Sequence, residues 1–125
     1  GNPVCCAAAL ATLKLVNGGY MENARLMGER TMQRLRQFAQ EFSVIGDVRG
    51  AGLMIGMEFV KDRATKAPAK EFATRLVARA FENGLLLLEC GASGLRIIPP
   101  LMIDAQLLDE GLDILRRSFQ EVIAE

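Results

Sequence analysis

Histidine is missing from all 125 residues of the sequence. Within this chain, its absence excludes a zinc site built from cysteine and histidine, and it excludes a histidine general base. Cysteine is scarce as well: Cys5 and Cys6 are adjacent and Cys90 is distant, an odd number that does not suit a disulfide framework. We therefore expect no metal site, and a reducing compartment such as the cytoplasm.

The sequence also lacks an excess of either charge and any long apolar run. Fifteen basic and fifteen acidic residues are interspersed and give a net charge of zero, so neither nucleic acid nor a membrane is an expected partner. The longest apolar runs, Val4 to Leu13 and Leu85 to Leu88, are too broken or too short to span a membrane. The chain begins Gly-Asn-Pro, with no methionine and no leader peptide, and we expect it to be cut from a longer protein.

Two helices are predicted before the first strand. The first is alanine-rich and runs from Pro3 to Val16, with Asn2 as its N-cap and Asn17-Gly18-Gly19 as its end. Its small side chains suit close packing on another surface. The second helix runs from Met21 to Phe42 and carries inward-facing residues at helical spacing, namely Met27, Thr31, Leu35, Phe38 and Phe42.

Two further helices are predicted in the second half of the chain. One begins at Pro68 and runs to Asn83, with expected inward residues Phe72, Leu76, Val77, Ala80 and Phe81. The other begins after Asp104 as N-cap, and its apolar residues recur at steps of three and four: Leu108, Leu112, Leu115, Phe119 and Val122.

Four strands complete the pattern, and they are predicted over Val44–Arg49, Leu53–Val60, Leu85–Cys90 and Leu95–Ile98. The first pair is joined by Gly50-Ala51-Gly52, which is a turn rather than a dinucleotide-binding loop because no third glycine follows at the required spacing. Short glycine turns between consecutive strands favour antiparallel over parallel pairing. The predicted fold is one α+β domain over residues 1–125, with a small, mostly antiparallel sheet covered by helices on one face.

Arg96 stands out because it interrupts an apolar strand that closes with Pro99 and Pro100. A guanidinium in such a strand either extends into solvent at a sheet edge or points at an anion in a cleft, and the residues alone leave both possibilities open. No lysine has the pattern of a desolvated Schiff-base lysine, since all four fall at positions predicted to be exposed: Lys14, Lys61, Lys66 and Lys70.

Three segments resemble the class III pyridoxal-phosphate aminotransferases, in the order in which that family has them. They are Gly1-Asn2-Pro3-Val4 with the Cys-Ala-Ala-Ala-Leu after it, Gly46 to Met54 (GDVRGAGLM), and Arg96 to Leu101 (RIIPPL). Together they cover the chain from end to end. The part of the family that they resemble is its carboxyl-terminal small domain, which the helix from Pro3 to Val16 would join to a large domain. The run Leu86 to Gly91, leading to Leu95 and Arg96, is most similar to 4-aminobutyrate aminotransferases.

This resemblance implies a role for the chain within a larger enzyme. In the family, a lysine of the large domain holds pyridoxal 5'-phosphate as a Schiff base, and the amino group of a donor passes through this cofactor to 2-oxoglutarate. Arg96 would form a bidentate pair with the α-carboxylate of glutamate or 2-oxoglutarate. Gly1 and Asn2 would lie beside the segment that contacts the cofactor phosphate of the neighbouring subunit of a homodimer. Because the Schiff-base lysine would lie outside this chain, we expect the fragment alone to be inactive and free of cofactor.

The resemblance leaves the amino donor open. Leu85 to Leu88 lacks the arginine that ω-amino acid:pyruvate transaminases usually have there, which favours the glutamate-linked branch and 4-aminobutyrate as donor. Ornithine and acetylornithine aminotransferases share the Arg-x-x-Pro-Pro-Leu pattern and are the alternatives within the family. A non-catalytic α+β module for ligand binding or dimerisation is the alternative from another class.

Overall fold

An antiparallel sheet with helices on one of its faces forms the centre of the fold, as predicted. The computed structural model describes all 125 residues. The five strands lie in the order β1-β2-β5-β4, with β3 pairing the far end of β2. Their bounds are β1 Ile45–Ala51, β2 Met54–Asp62, β3 Ala67–Pro68, β4 Leu88–Cys90 and β5 Gly94–Ile97.

Alternation along β2 decides which face of the sheet is buried. Ile55, Met57 and Phe59 are at most 2% exposed, whereas Met54 and Glu58, at the alternate positions, are exposed. Met57 pairs with Val48 of β1 and with Leu95 of β5, so the same parity extends across the sheet. One face is therefore apolar and covered, and the other lies open.

Helices α2 (Met21–Glu41), α3 (Lys70–Glu82) and α4 (Ala105–Ala124) cover the apolar face. They meet at the fully buried ring of Phe119, which stacks on Phe42 at a centroid distance of 4.9 Å. Edge-on contact with Phe59, at 5.7 Å, joins the same ring to β2, and Phe72 joins it to α3. The inward residues predicted for α4 are all buried, because side chains three and four apart share one helix face.

Ion pairs between α2 and α4 flank this core. Arg30 donates two hydrogen bonds to Asp109, at 2.9 and 2.5 Å, and Arg116 donates two to Glu41, each at 3.0 Å. The bond from Arg30 lowers the pKa of the Asp109 carboxyl, and the bond from Arg116 likewise lowers the pKa of Glu41. Charged residues of α2 thus tie that helix to α4.

The first helix differs from the prediction in how it ends. Helix α1 (Pro3–Leu15) has the predicted cap, since Asn2 accepts hydrogen bonds from the amides of Val4 and Cys5. At Gly18-Gly19, however, the chain does not leave the helix, because Val16–Tyr20 continues as a π-helical turn with a kink at Gly19 (φ 145°). Every residue of α1 is exposed, so its small side chains pack on nothing within this chain.

Because the helix continues through the glycines, the prediction that no apolar segment is long enough to span a membrane needs correction. Pro3–Glu41 is one kinked helix of 39 residues, with a stretch of mean hydropathy 1.3 that could cross a membrane by length and composition. The sequence-based estimate missed it because the helix was expected to stop at the glycines. Both a membrane span and a helix buried inside a larger soluble assembly have this composition.

Three local predictions were wrong. Pro68 does not open α3; with Ala67 it pairs with β2, and the helix starts two residues later. Leu85–Leu87 do not form a strand, because the Leu85 amide still donates to Ala80 in the turn that ends α3. The segment Leu85–Leu88 is also partly open to solvent, since Leu86 is 76% exposed. In α3, Phe81 was predicted to face inward but is 67% exposed.

Glycines bring the turn between β1 and β2 against α2. A Cβ on Gly28 would lie 2.2 Å from the Gly52 carbonyl oxygen, and Gly52 itself has a φ of +54°. The turn is Gly52-Leu53 and so is shorter than predicted, because Gly50 and Ala51 pair with β2 as the last residues of β1. The conformation of Gly52 and the contact of the turn with Gly28 of α2 both require glycine. In α4, by contrast, a Cβ on Gly111 would meet nothing closer than 3.7 Å.

Alanine substitutions at these two helical glycines are expected to have opposite effects. Gly28→Ala forces α2 away from the turn and should lower the free energy of unfolding by about 2–3 kcal/mol. Gly111→Ala fits its space and should raise it by about 0.5–1 kcal/mol, because alanine is the better helix former. Urea denaturation followed by circular dichroism measures both. Equal effects of the two changes would contradict the close packing at Gly28.

Acid is expected to weaken the link between α2 and α4. A carboxyl whose pKa is lower in the folded than in the unfolded chain stabilises the fold above its unfolded pKa, and that contribution is lost as the pH falls through the folded value. For Asp109, whose usual pKa is 3.8, the loss should occur below about pH 4. Asp109→Asn should flatten this part of a stability–pH curve measured by denaturation, whereas Glu110→Gln, at a residue with no ion pair, should leave it unchanged. Superimposable curves for Asp109→Asn and the parent chain would contradict the prediction.

Candidate functional site

The open face of the sheet, which carries no helix, presents Arg96 near its centre. The side chains on this face are those of alternate residues along the strands: Asp47, Arg49, Ala51, Met54, Gly56, Glu58, Leu88, Cys90, Gly94 and Arg96. In the register, Arg96 lies between Gly56 of β2 and Leu88 of β4. Because Gly56 has no side chain, the space on that side of Arg96 is free.

Arg96 is exposed and makes no hydrogen bond or ion pair within the chain. Every other arginine except Arg36 has at least one such partner. A guanidinium offers five N–H donors in a planar fork that matches a carboxylate. All five N–H groups of Arg96 are available, so the guanidinium can bind an external anion without first breaking an internal contact.

A shallow cavity of about 300 Å³ lies beside Arg96. Its walls are the two segments that flank the arginine, Leu85–Leu88 and Ile97–Pro99, and six of its eight lining residues are apolar. Leu86 and Leu88 present most of their side chains to the outside. One cation among aliphatic side chains suits a small organic molecule with a carboxylate at one end and a carbon chain next to it.

The second arginine of the open face is occupied by its neighbours. Arg49 Nη1 lies 2.5 Å from Asp47 Oδ2 and 3.0 Å from Glu58 Oε2. The hydrogen bond with Asp47, followed by that with Glu58, raises the pKa of Arg49. Two carboxylates on one guanidinium leave a local excess of negative charge, so an incoming anion is directed to Arg96 instead.

Ser93 anchors the start of the strand that carries Arg96. Its hydroxyl donates a 2.7 Å hydrogen bond to the Phe59 carbonyl, and its own carbonyl accepts from the Phe59 amide at 2.8 Å. The side chain is buried, although Ser93 lies in the turn between β4 and β5. A serine in a glycine-rich turn gives no signal of such a long-range bond, so this residue was missed.

Gly1 and Asn2, which the resemblance places near the cofactor phosphate, do not line this cavity. Gly1 is exposed, and the side-chain oxygen of Asn2 is used in capping α1. The four lysines are exposed, as predicted, and none lines the cavity beside Arg96. The residues present therefore fit a carboxylate but do not fit pyridoxal phosphate, which needs an amine for its aldehyde and donors for its phosphate. No cluster of cysteine and carboxylate side chains with metal-binding geometry occurs in the chain.

Comparisons of the sequence with known proteins agree on one family. The model of the aminotransferase class-III family matches residues 1–119. A leucine/methionine racemase of Thermococcus litoralis is 45% identical over 123 residues, which are 98% of this chain and 28% of the racemase. A 5-aminovalerate aminotransferase of Pseudomonas putida is 40% identical over 98% of this chain and 29% of its own length. A 4-aminobutyrate aminotransferase of Mycobacterium leprae is 42% identical, over 94% of this chain and 27% of its own length.

Solved structures agree with the sequence comparisons. An omega-transferase from Vibrio fluvialis has a TM-score of 0.90 and 34% identity, over 99% of this chain and 30% of that one. An amine transaminase from an uncultivated Pseudomonas species, in a PLP-bound form, has a TM-score of 0.88 and 29% identity, over 96% of this chain and 28% of that one. The chain thus spans less than a third of the length of these relatives, and the α+β fold is one that aminotransferases contain.

Removing the Ser93 hydroxyl is expected to loosen the hairpin of β4 and β5. Ser93→Ala should lower the free energy of unfolding by about 1 kcal/mol, the usual net contribution of such a hydrogen bond. It should also speed hydrogen exchange at the amides of that hairpin, measured by mass spectrometry. Ser43→Ala, at an exposed serine whose hydroxyl makes no hydrogen bond, is the control. Unchanged exchange in Ser93→Ala would show that the anchor is dispensable.

Proposed function

The chain belongs to the class III aminotransferase family, and from this membership we propose that it is the carboxyl-terminal small domain of a pyridoxal-phosphate-dependent aminotransferase. In the intact enzyme it would supply the substrate-binding arginine, while residues outside these 125 would hold the cofactor. Two observations support this division: the cavity beside Arg96 suits a carboxylate, and no lysine lines it. Without the rest of the enzyme, the chain would be inactive.

Arg96 is the proposed binding residue for the α-carboxylate of glutamate and 2-oxoglutarate. The single observation that carries this proposal is the unpaired guanidinium on the open face, with Gly56 on one side and the apolar cavity on the other. A bidentate pair with a carboxylate would fix both the position and the orientation of the substrate. The aliphatic wall would exclude water from one side of that pair and strengthen it.

The proposed amino donor is 4-aminobutyrate, with ornithine and acetylornithine as alternatives. Support comes from a 4-aminobutyrate aminotransferase at 42% identity and from the absence of a second arginine in Leu85–Leu88. The relative described as a 5-aminovalerate aminotransferase also acts on an ω-amino acid by its name. The non-catalytic module from another class is disfavoured, because the relatives matched are aminotransferases, racemases and an epimerase.

Racemisation of an apolar amino acid is a second candidate for the intact enzyme. The relative at 45% identity is a leucine/methionine racemase, and the exposed side chains of Leu86 and Leu88 would suit an aliphatic substrate. Such a reaction needs no 2-oxo acid. Loss of optical activity from L-leucine, measured without any 2-oxo acid, would therefore favour racemisation, whereas glutamate formation that depends on 2-oxoglutarate would favour transamination.

The remaining surfaces of the chain suit a position inside a larger assembly. We infer that the exposed helix α1 packs against the large domain, and that the intact enzyme is a cytoplasmic homodimer. The alanines of α1 allow close approach of another surface, and its hydropathy suits burial. The balanced charge of the chain supports neither nucleic acid nor an anionic membrane as a partner. Gly1 and Asn2 would then lie near the cofactor phosphate.

Arg96→Ala in the intact enzyme is expected to raise the KM for 2-oxoglutarate by roughly thirtyfold or more. The reason is the loss of a charge-paired contact worth about 2–4 kcal/mol. Steady-state kinetics with 2-oxoglutarate as the varied substrate measure the change. Arg36→Ala is the matched control, because Arg36 is also exposed and unpaired but lies on α2. An unchanged KM in Arg96→Ala, or an equal rise in both variants, would contradict the proposed site.

A further inference from the structure

The segment between Arg96 and the last helix is a connector, Ile98–Asp104, that contains both adjacent prolines. Pro99 and Pro100 have no backbone N–H, so this part of the chain cannot donate to a strand ladder. Within the connector, the Ile103 amide donates to the Pro100 carbonyl at 3.0 Å and closes a turn. Besides the packing of Ile103 against the core, the connector's carbonyl groups can attach it to the rest of the fold.

Asn23, in the first turns of α2, takes up two of those carbonyl groups. Its side-chain nitrogen donates to the carbonyl of Leu101 at 2.7 Å and to that of Ile103 at 3.0 Å. Each of the two N–H groups of the amide thus has one acceptor, and both bonds span about eighty residues of sequence. They join the connector to α2, whereas Asp104, its last residue, accepts hydrogen bonds from Leu107 and Leu108 and joins it to α4.

We propose that Asn23 is a positioning residue for Arg96, an inference that rests on the proposed function of Arg96 in binding a substrate carboxylate. Strand β5 has only four residues, and Arg96 is the third of them. Ser93 holds the strand at its start, and Asn23 holds the connector that follows its end. Arg96 therefore lies between two attachments, one to β2 and one to α2.

Pro99 and Pro100 couple the position of Leu101, which Asn23 holds, to the position of Arg96. Their rings fix φ, so the backbone from Ile98 to Leu101 has fewer ways to bend than an ordinary loop. A shift of Leu101 is then passed back towards Arg96 rather than absorbed between them. A bidentate carboxylate pair depends on the orientation of the guanidinium, so a shift of Arg96 weakens the binding of the carboxylate.

Asn23→Asp in the intact enzyme tests the proposal. Aspartate has the size of asparagine but no side-chain N–H, so both bonds are lost. The expected result is a KM for 2-oxoglutarate raised by roughly tenfold, with kcat at saturation changed less than twofold. Asn23→Gln, which keeps the amide, should restore part of the affinity. Gln33→Glu makes the same amide-to-carboxylate change on the exposed side of α2 and should leave KM unchanged.

A double-mutant cycle separates positioning from general destabilisation. If Asn23 acts through Arg96, Asn23→Asp should not raise KM further in an Arg96→Ala background. An equal rise in both backgrounds, or an unchanged KM in Asn23→Asp alone, overturns the proposal. If Arg96→Ala itself has no effect, the proposed function fails instead. Should Asn23→Asp not fold, Asn23→Ala, which adds no charge, gives the same comparison.

Discussion

The burial of one face of the sheet around Phe119 is the constraint on which the rest of the structure depends. That ring joins α4 to α2, to α3 and to β2, so helices from both halves of the chain cover the same face. Since side chains alternate along a strand, burying Leu95 and Ile55 on this face places Arg96 on the other. A slip of one residue in β5 would bury the guanidinium without a partner.

The two arginines on the open face differ in their electrostatic surroundings. Arg49 is held by Asp47 and Glu58 and serves the fold, whereas Arg96 has only Gly56 and Leu88 beside it in the register. Arg96 has no internal counter-ion, and such an unpaired guanidinium gains most from pairing with an external anion.

Much of the fold could be predicted because the spacing of apolar residues along the sequence matches the pattern of burial in the structure. The inward residues of α4 and the buried side of β2 follow from periods of three to four and of two. Three of the errors share a physical cause, since each involves backbone bonding that the spacing of apolar residues does not report. Leu85 stays attached to Ala80, Pro68 pairs with β2, and Met21 donates to Val16 across the glycines where the helix was expected to stop.

The sequence by itself determined the α+β class, the helix faces, the strand that holds Arg96, and the family resemblance that gave this arginine a role. Only the tertiary structure decided that Arg96 is unpaired, that Gly56 leaves space beside it, and that Ser93 and Asn23 hold the two ends of its segment. Periodicity reports which residues are buried, because burial repeats with the local geometry. It does not report which polar groups meet, because Asn23 and Leu101 are brought together only when the helices close over the sheet.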